Sequence, residues 1–510
     1  MTHRQVLEAL SGLLLVLFVA MISGTIVSVA LPQIIGALEG TQSQYTWVVT
    51  ASLLAATAST PIWGRLADLF SKKLLLQISI TIFMVSSLAC GLAQNTEQLI
   101  AFRALQGLGM GALQILVQVI IAAMISPKER GRYNGYLGGV MAVATVGGPL
   151  LGGLIADTSW LGWRWCFFIA VPFTAISLVL LQKTLHVVTV RRGDVKIDYL
   201  GATLIAAGVS VLLIWVTFVG NSFAWLSWQT AAMAGGGAVI LALATWVETR
   251  AAQPVVPLHV IRRRTPALAI LASLAVGMAM FGGSVFLGQY FQIGRGYTPT
   301  EAGLLTIPMM AGVLVSSTIS GRMVSRSGKI KPYIVTGSIV LTLGFLVLST
   351  MDHQTSLVVI GAAMVLVGVG VGMSMQNLVL AIQNTVPLRE LGAASGAVTF
   401  FRSLGGTIGV SVLGAVLANQ VAADIRQGLD KAGIPASASG GAGTLDIAAL
   451  PEPIQVIVRS AYGDATGHIF LISAGLAVVG VIATLFFKPV TLRDTLDLPD
   501  PAAKEPVSAG

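Results

Sequence analysis

Gly64-Arg65-Leu66-Ala67-Asp68-Leu69-Phe70-Ser71-Lys72-Lys73 lies between two long apolar runs. A second stretch of the same kind, Gly321-Arg322-Met323-Val324-Ser325-Arg326-Ser327-Gly328-Lys329, lies between two others. A segment that occurs twice, far apart in one chain, marks an internal repeat. Each copy opens on a glycine, carries basic residues and follows a run of about 20 mostly apolar residues, the length a helix needs to cross a membrane. The repeat therefore points both to the class, a membrane protein, and to the plan, two related halves.

Apolar runs recur on both sides of these copies and predict spans at 10–32, 46–66, 74–94, 98–124, 134–156, 164–182, 199–219, 230–248, 266–290, 302–322, 333–350, 357–382, 391–418 and 468–487. The chain has 510 residues, 55% hydrophobic and 10% charged, with 57 glycines. Soluble domains carry about 25% charged residues, so water is not its main solvent. The first run is too long for a signal peptide and ends in Leu31-Pro32 rather than a small-residue cleavage site. With the two copies equivalent, spans one to six match spans nine to fourteen, and spans seven and eight are an insertion. The expected fold is an all-α polytopic membrane protein with 14 transmembrane helices. Its parts are a six-helix bundle over 1–182, two inserted helices with linkers over 183–265, and a second six-helix bundle over 266–488. The second bundle contains an extracellular loop, 419–466, which holds Pro435, Pro451 and Pro453 and lacks a sustained apolar period. A disordered cytoplasmic tail over 489–510 is expected to follow.

Lys and Arg in short loops favour the cytoplasmic side. With the N-terminus inside, Lys72, Lys73, Lys128, Arg130, Arg132, Arg191, Arg192, Arg262 to Arg264, Arg326, Lys329 and Lys331 all fall there. Of the 30 basic residues only Arg164, Arg295, Arg426, Lys431 and Arg459 fall outside, while Arg103 and Arg402 lie within spans. Topology thus accounts for the net charge of +9, and no nucleic-acid partner is needed. Cys90 and Cys166 lack metal-ligand spacing and read as packing residues. Gly107-Leu108-Gly109-Met110-Gly111 follows no strand and lies within a span, so it is no nucleotide loop. The absence of zinc spacing, Walker motifs and catalytic triads argues against an enzyme and predicts no cofactor.

The residues at this point resemble the major facilitator superfamily, and within it the fourteen-span branch of drug:proton antiporters, from about Gly12 to Phe487. The first shared motif is the repeated loop, in which Gly64 permits close helix approach, Asp68 can meet a neighbouring helix end, and Arg65, Lys72 and Lys73 can hold a charge network. The resemblance implies a conformational latch there; Ser325 takes the Asp place in the second copy, so that latch should be weaker. The second motif runs from Arg103 through Gln106 to Gly107 in span four. The resemblance gives this arginine a part in proton coupling, and snorkelling to the nearby outer interface is the alternative. The third motif holds Gly138, Gly139, Gly147, Gly148, Pro149, Gly152 and Gly153 in span five. It resembles the family's antiporter motif, placed at the interface between the halves, and implies export. Gln289, Tyr290, Gln292, Gln376, Asn377 and Arg402 are candidates for a substrate cavity; interhelical hydrogen bonding is the other reading of the amides.

One departure matters for mechanism. The branch usually carries an Asp two residues before Thr25-Ile26-Val27, and here that position is Ser23. All 21 acidic residues lie in loops, tails or near span ends, so Asp464 and Asp157 become the proton-carrier candidates. Three routes stay open: coupling through such an end-of-span acid, facilitated transport without protons, or uncoupling by the substitution at 23. The expectation is a monomeric carrier in the plasma membrane with both termini cytoplasmic. It exports hydrophobic or amphipathic drug-like molecules, with a proton gradient as its energy source and membrane lipids around it. Lipid-like cargo or an uncoupled facilitator is the alternative. A receptor or scaffold on the same fold is the competing class.

Overall fold

A computed structural model of the chain describes residues 3–39, 42–158, 162–185, 198–219, 223–251, 254–256, 258–433, 451–489 and 491–495. The first half comprises α1 (His3–Ala37), α2 (Gln42–Leu69), α3 (Lys72–Leu92), α4 (Thr96–Met124), α5 (Pro127–Asp157), α6 (Trp165–Phe168) and α7 (Ala170–Thr184). Then come α8 (Tyr199–Phe218), α9 (Trp228–Glu248) and the short α10 (Leu258–Ile261). The second half comprises α11 (Arg264–Gln289), which ends in a π turn (Tyr290–Gly294), α12 (Pro299–Leu305), α13 (Ile307–Ser327), α14 (Lys331–Leu348), α15 (Leu357–Gln383), α16 (Leu391–Ala432) and α17 (Glu452–Leu485).

Twelve of these helical segments are long and apolar enough to cross a membrane; α2 and α5, at 28 and 31 residues, also reach spanning length. Local chemistry sets the ends. Ser71, Asn95 and Ser227 accept backbone N–H bonds as N-caps of α3, α4 and α9, and Thr298 with Glu301 forms a capping box on α12. Gly328 and Gly433 close α13 and α16 in the left-handed conformation.

The buried core follows the two halves. Phe83, Leu113 and Leu181 belong to clusters built from α1 to α7, while Tyr290, Phe345 and Phe470 belong to one built almost wholly from α10 onward. The inserted pair α8–α9 packs on itself and leans on α2 and α16, where Ile205 and Val209 join Ala58 and Phe400. Its outer face shows Val239, Leu243 and Trp246, as lipid solvation requires.

Two sequence expectations need correction. The segment 419–466 is largely helical: α16 runs on to Ala432 and α17 begins at Glu452, with only 434–450 outside the described residues. The reason is an apolar period the composition concealed, since Val421, Ile425 and Leu429 are buried at four-residue spacing and Ile454, Val458 and Ala461 on α17 are buried too. The tail expected to be disordered from Pro489 instead packs at Thr491 to Asp494, with Leu492 buried; 496–510 lie outside the described residues.

Candidate functional site

Arg103 lies on α4, buried, and so does not snorkel. Its Nε donates to Val48 O at 3.2 Å, Nη1 to Gln106 Oε1 at 2.6 Å and Nη2 to Ser52 Oγ at 2.9 Å. Gln106 Nε2 in turn donates to Ser87 Oγ at 2.8 Å and Ser23 Oγ at 3.3 Å, so α1, α2, α3 and α4 meet in one buried polar network. Gly107 and Gly111 make this possible, because a Cβ there would strike the backbone of Ser52 and Ala56 on α2. Among the described residues the guanidinium is held by neutral oxygens alone. Ser, Gln and Arg do not exchange protons near neutral pH, so the network stores a fixed charge rather than a titrating one. A carboxyl at position 23 would fall beside Gln106.

The repeated loop builds the second site, on what we call the basic face, the end at which α1 begins and α17 ends. Asp68, in the last turn of α2 past its apolar run, accepts N–H bonds from Gly392 and Ala393 at 2.8 Å each, which caps the N-terminus of α16 in the other half. Burial pushes this carboxyl up to about 7, against the pull of the two N–H bonds and the charges of Lys72 and Arg65. Beneath it α2 and α16 cross backbone to backbone: a Cβ on Gly64 would lie 2.5 Å from Gly392 O. Arg65 also interacts electrostatically with Glu248 of α9. Lys73 Nζ caps α7 by donating to Gln182 O at 2.7 Å, a bond within the first half.

The second copy makes the matching seam between α5 and α13. A Cβ on Gly131 would lie 2.6 Å from Gly321 O and 2.7 Å from Ser325 Oγ. Ser325 Oγ is buried without a hydrogen-bond partner, so this seam has no equivalent of the Asp68 cap. Arg130 joins the halves beside this seam, donating to Gln383 Oε1 of α15 at 2.5 Å, while its bonds to Ala122 O and Ile125 O at 2.8 Å each stay within the first half. The chain after α17 adds a strap: Arg493 Nη2 donates to Gln383 O and Val386 O at 3.0 and 3.2 Å, Leu492 N to Gly328 O at 2.8 Å, and Lys128 N to Arg493 O at 3.2 Å. Lys128 Nζ pairs with Asp494 at 3.0 Å. Burial, with Arg493 close by, lowers Arg130 to about 9, which leaves it charged at neutral pH. Sequence reasoning assigned no site role to Arg130, Gly392 or Arg493; Arg130 reaches Gln383 253 residues away, Gly392 reaches Asp68 324 residues away and Arg493 reaches Gln383 110 residues away.

The glycines of α5 divide between two jobs. Gly138 and Gly139 face Ser317 and Leu314 of α13, across the halves as expected, whereas Gly148 and Gly152 pack against Thr25 and Ile26 of α1 within the first half. Pro149 and Gly153 are on α5, but their packing, like the Asp157 side chain, lies outside the described residues. Asp464 is at the opposite end of the molecule, where it accepts from His353 N at 3.2 Å and pairs with His353 Nδ1 at 3.0 Å, half exposed. Tyr290 is beside that pair, with its OH donating to Asp352 O at 2.8 Å.

The cavity candidates do not gather in one place. Gln292 is exposed and Gln289 half-buried on the C-terminal end of the α11 segment. Asn377 donates back to Met373 O at 2.7 Å, and Gln376 lies in the α5–α15 contact, 3.8 Å from Met141 Sδ. Arg402, buried on α16, has no hydrogen-bond partner for Nη1.

Residues 13–410 match the family model described as Major Facilitator Superfamily. The chain is 36% identical over 479 residues to an uncharacterized MFS-type transporter of Mycobacterium tuberculosis, covering 94% of this chain and 69% of that one. It is 33% identical over 512 residues to the multidrug transporter protein MdtP of Bacillus subtilis, covering 95% and 93%. Among solved structures, the human organic anion transporter MFSD10 matches with a TM-score of 0.61 at 12% identity, covering 92% and 99%, which speaks to the fold alone.

Proposed function

The chain belongs to the major facilitator superfamily, and from that premise we propose that it exports hydrophobic or amphipathic, drug-like molecules across the plasma membrane by alternating access. In this reading the basic face is cytoplasmic, both termini lie there, and the bundles 1–182 and 266–488 of a monomer rock against each other. The observation that carries it is the pair of glycine crossings. Gly64 with Gly392 and Gly131 with Gly321 close both seams on one face, so a single rocking motion parts both. A relative named a multidrug transporter supports the cargo class.

The polar network around Ser23 carries a fixed charge and no proton, so proton drive, typical of such exporters, does not pass through position 23 in this chain. Flux from proteoliposomes of a neutral amphipathic dye, with and without an imposed proton gradient, tests the proposal on the chain as it stands and on Ser23→Asp. The account predicts flux in both and a stronger gradient dependence in Ser23→Asp. Absence of flux in both contradicts transport. Equal gradient dependence moves coupling to Asp464 or Asp157. A second reading, export of an acidic lipid-like amphiphile, is favoured by the unpartnered guanidinium nitrogen of Arg402, and predicts faster flux of an anionic dye than of the neutral one.

A further inference from the structure

Beside the α5–α13 seam lies a cavity of about 920 Å³, within the range of small-ligand sites, lined by α1, α5 and α13. Its walls are apolar: Leu14 and Phe18 of α1, Val140 and Val143 of α5, and Leu314 of α13. Its polar end is made by Arg322, Arg326 and Ser325, one turn apart on α13, and none of the lining residues is acidic. Both arginines are exposed and, among the described residues, neither has a hydrogen-bond or ion-pair partner; Ser325 Oγ has none either. From Leu314 to Arg326 the helix rises about 18 Å, close to one leaflet of a hydrocarbon core about 30 Å thick. Apolar walls one leaflet deep with two guanidinium groups at the membrane surface fit one kind of occupant.

We propose that this crevice binds an acidic phospholipid of the leaflet on the basic face, with its phosphate on Arg322 and Arg326 and an acyl chain along Phe18, Val143 and Leu314. The lipid completes the seam that lacks an acid: Ser325 stands where the first copy has Asp68, so among the described lining residues no carboxyl competes for these arginines. The site depends on the membrane setting of the fold and not on what the protein transports, so its failure leaves the export reading intact.

The test is thermal unfolding of the purified full-length chain in detergent, titrated with phosphatidylglycerol, with phosphatidylcholine of the same acyl chains, or with inorganic phosphate. The proposal predicts that phosphatidylglycerol raises the midpoint at lower concentration than phosphatidylcholine, and that phosphate alone does nothing. In R322Q/R326Q that preference should weaken about ten- to thirtyfold. Val143→Trp, which fills the crevice and keeps both arginines, should weaken phosphatidylglycerol in the same way, and it serves if the double variant does not fold. Equal response to the two lipids overturns the proposal, as does a phosphate effect equal to that of the lipid, or a preference that survives Val143→Trp.

Discussion

At the α2–α16 seam Gly64 meets Gly392 and Asp68 caps the incoming helix, whereas at the α5–α13 seam Gly131 meets Gly321 and Ser325 stands in the acid's place with no partner. Both crossings descend from the same repeated loop, and both rely on glycine to let backbones touch. They differ in how the contact is held. The first uses a carboxyl on two helix N–H groups and is flanked by the inserted pair α8–α9. The second uses Arg130 and the Arg493 strap, and it leaves a crevice open at its side. The repeat thus preserves the backbone geometry of closure while the chemistry that secures it has diverged.

The largest break in this comparison is steric. A Cβ on Gly392 would collide with Gly64 O, a backbone atom that cannot step aside, so Gly392→Val should cost the closed form about 3 kcal/mol and abolish efflux. At the other seam Gly131→Val should cost about 2 kcal/mol, because one of its two near neighbours is the Ser325 hydroxyl. Thermal unfolding and dye efflux on both variants check the order.

Next comes the carboxyl. Asp68→Ala leaves two helix N–H groups unpaired and should weaken closure by about 2 kcal/mol, read as faster proteolysis at the basic face. Burial in the seam pushes the Asp68 carboxyl up to about 7, from about 3.8 when hydrated, so the closed form favours the protonated carboxyl. That contribution is complete below about 3.8 and is lost as pH rises through about 7, so proteolysis should quicken over this window. Asp68→Asn should be flat with pH, and a pH-dependent Asp68→Asn would assign the effect elsewhere. The α5–α13 seam should show no such dependence, since Arg130 stays charged throughout.

The smallest effects come from the strap. Arg493→Ala removes charged donors to Gln383 O and Val386 O and should cost about 1.5 kcal/mol. Lys128→Ala breaks only an exposed pair with Asp494 and should cost below about 1 kcal/mol. Equal losses in the two variants would mean that the strap adds nothing beyond surface charge.

Much of the first seam was legible in the sequence, because Gly64 and Asp68 form a motif with its own physical logic. The partner was not, since Asp68 reads backbone N–H groups of Gly392 and Ala393, which carry no side-chain signature and lie 324 and 325 residues away. Ser325 marked the place where the second copy lacks an acid, yet nothing in the sequence announced that Arg130 and the Arg493 strap would bond near that seam. The long α16 and α17 were hidden by Ala, Gly and Ser, although the spacing of Val421, Ile425 and Leu429 was there to be read. Ser23 and the motif that holds Arg103 and Gln106 were singled out separately, and the structure joins the three in one network.

The central claim is that Asp68 holds the basic face shut between the halves. Spin labels at Lys183→Cys on the first half and Lys331→Cys on the second give the distance across that face by pulsed electron resonance, while the native Cys90 and Cys166 are buried. The account predicts one short distance at pH 6 and a longer population on Asp68→Ala; an unchanged distribution in that variant would contradict it.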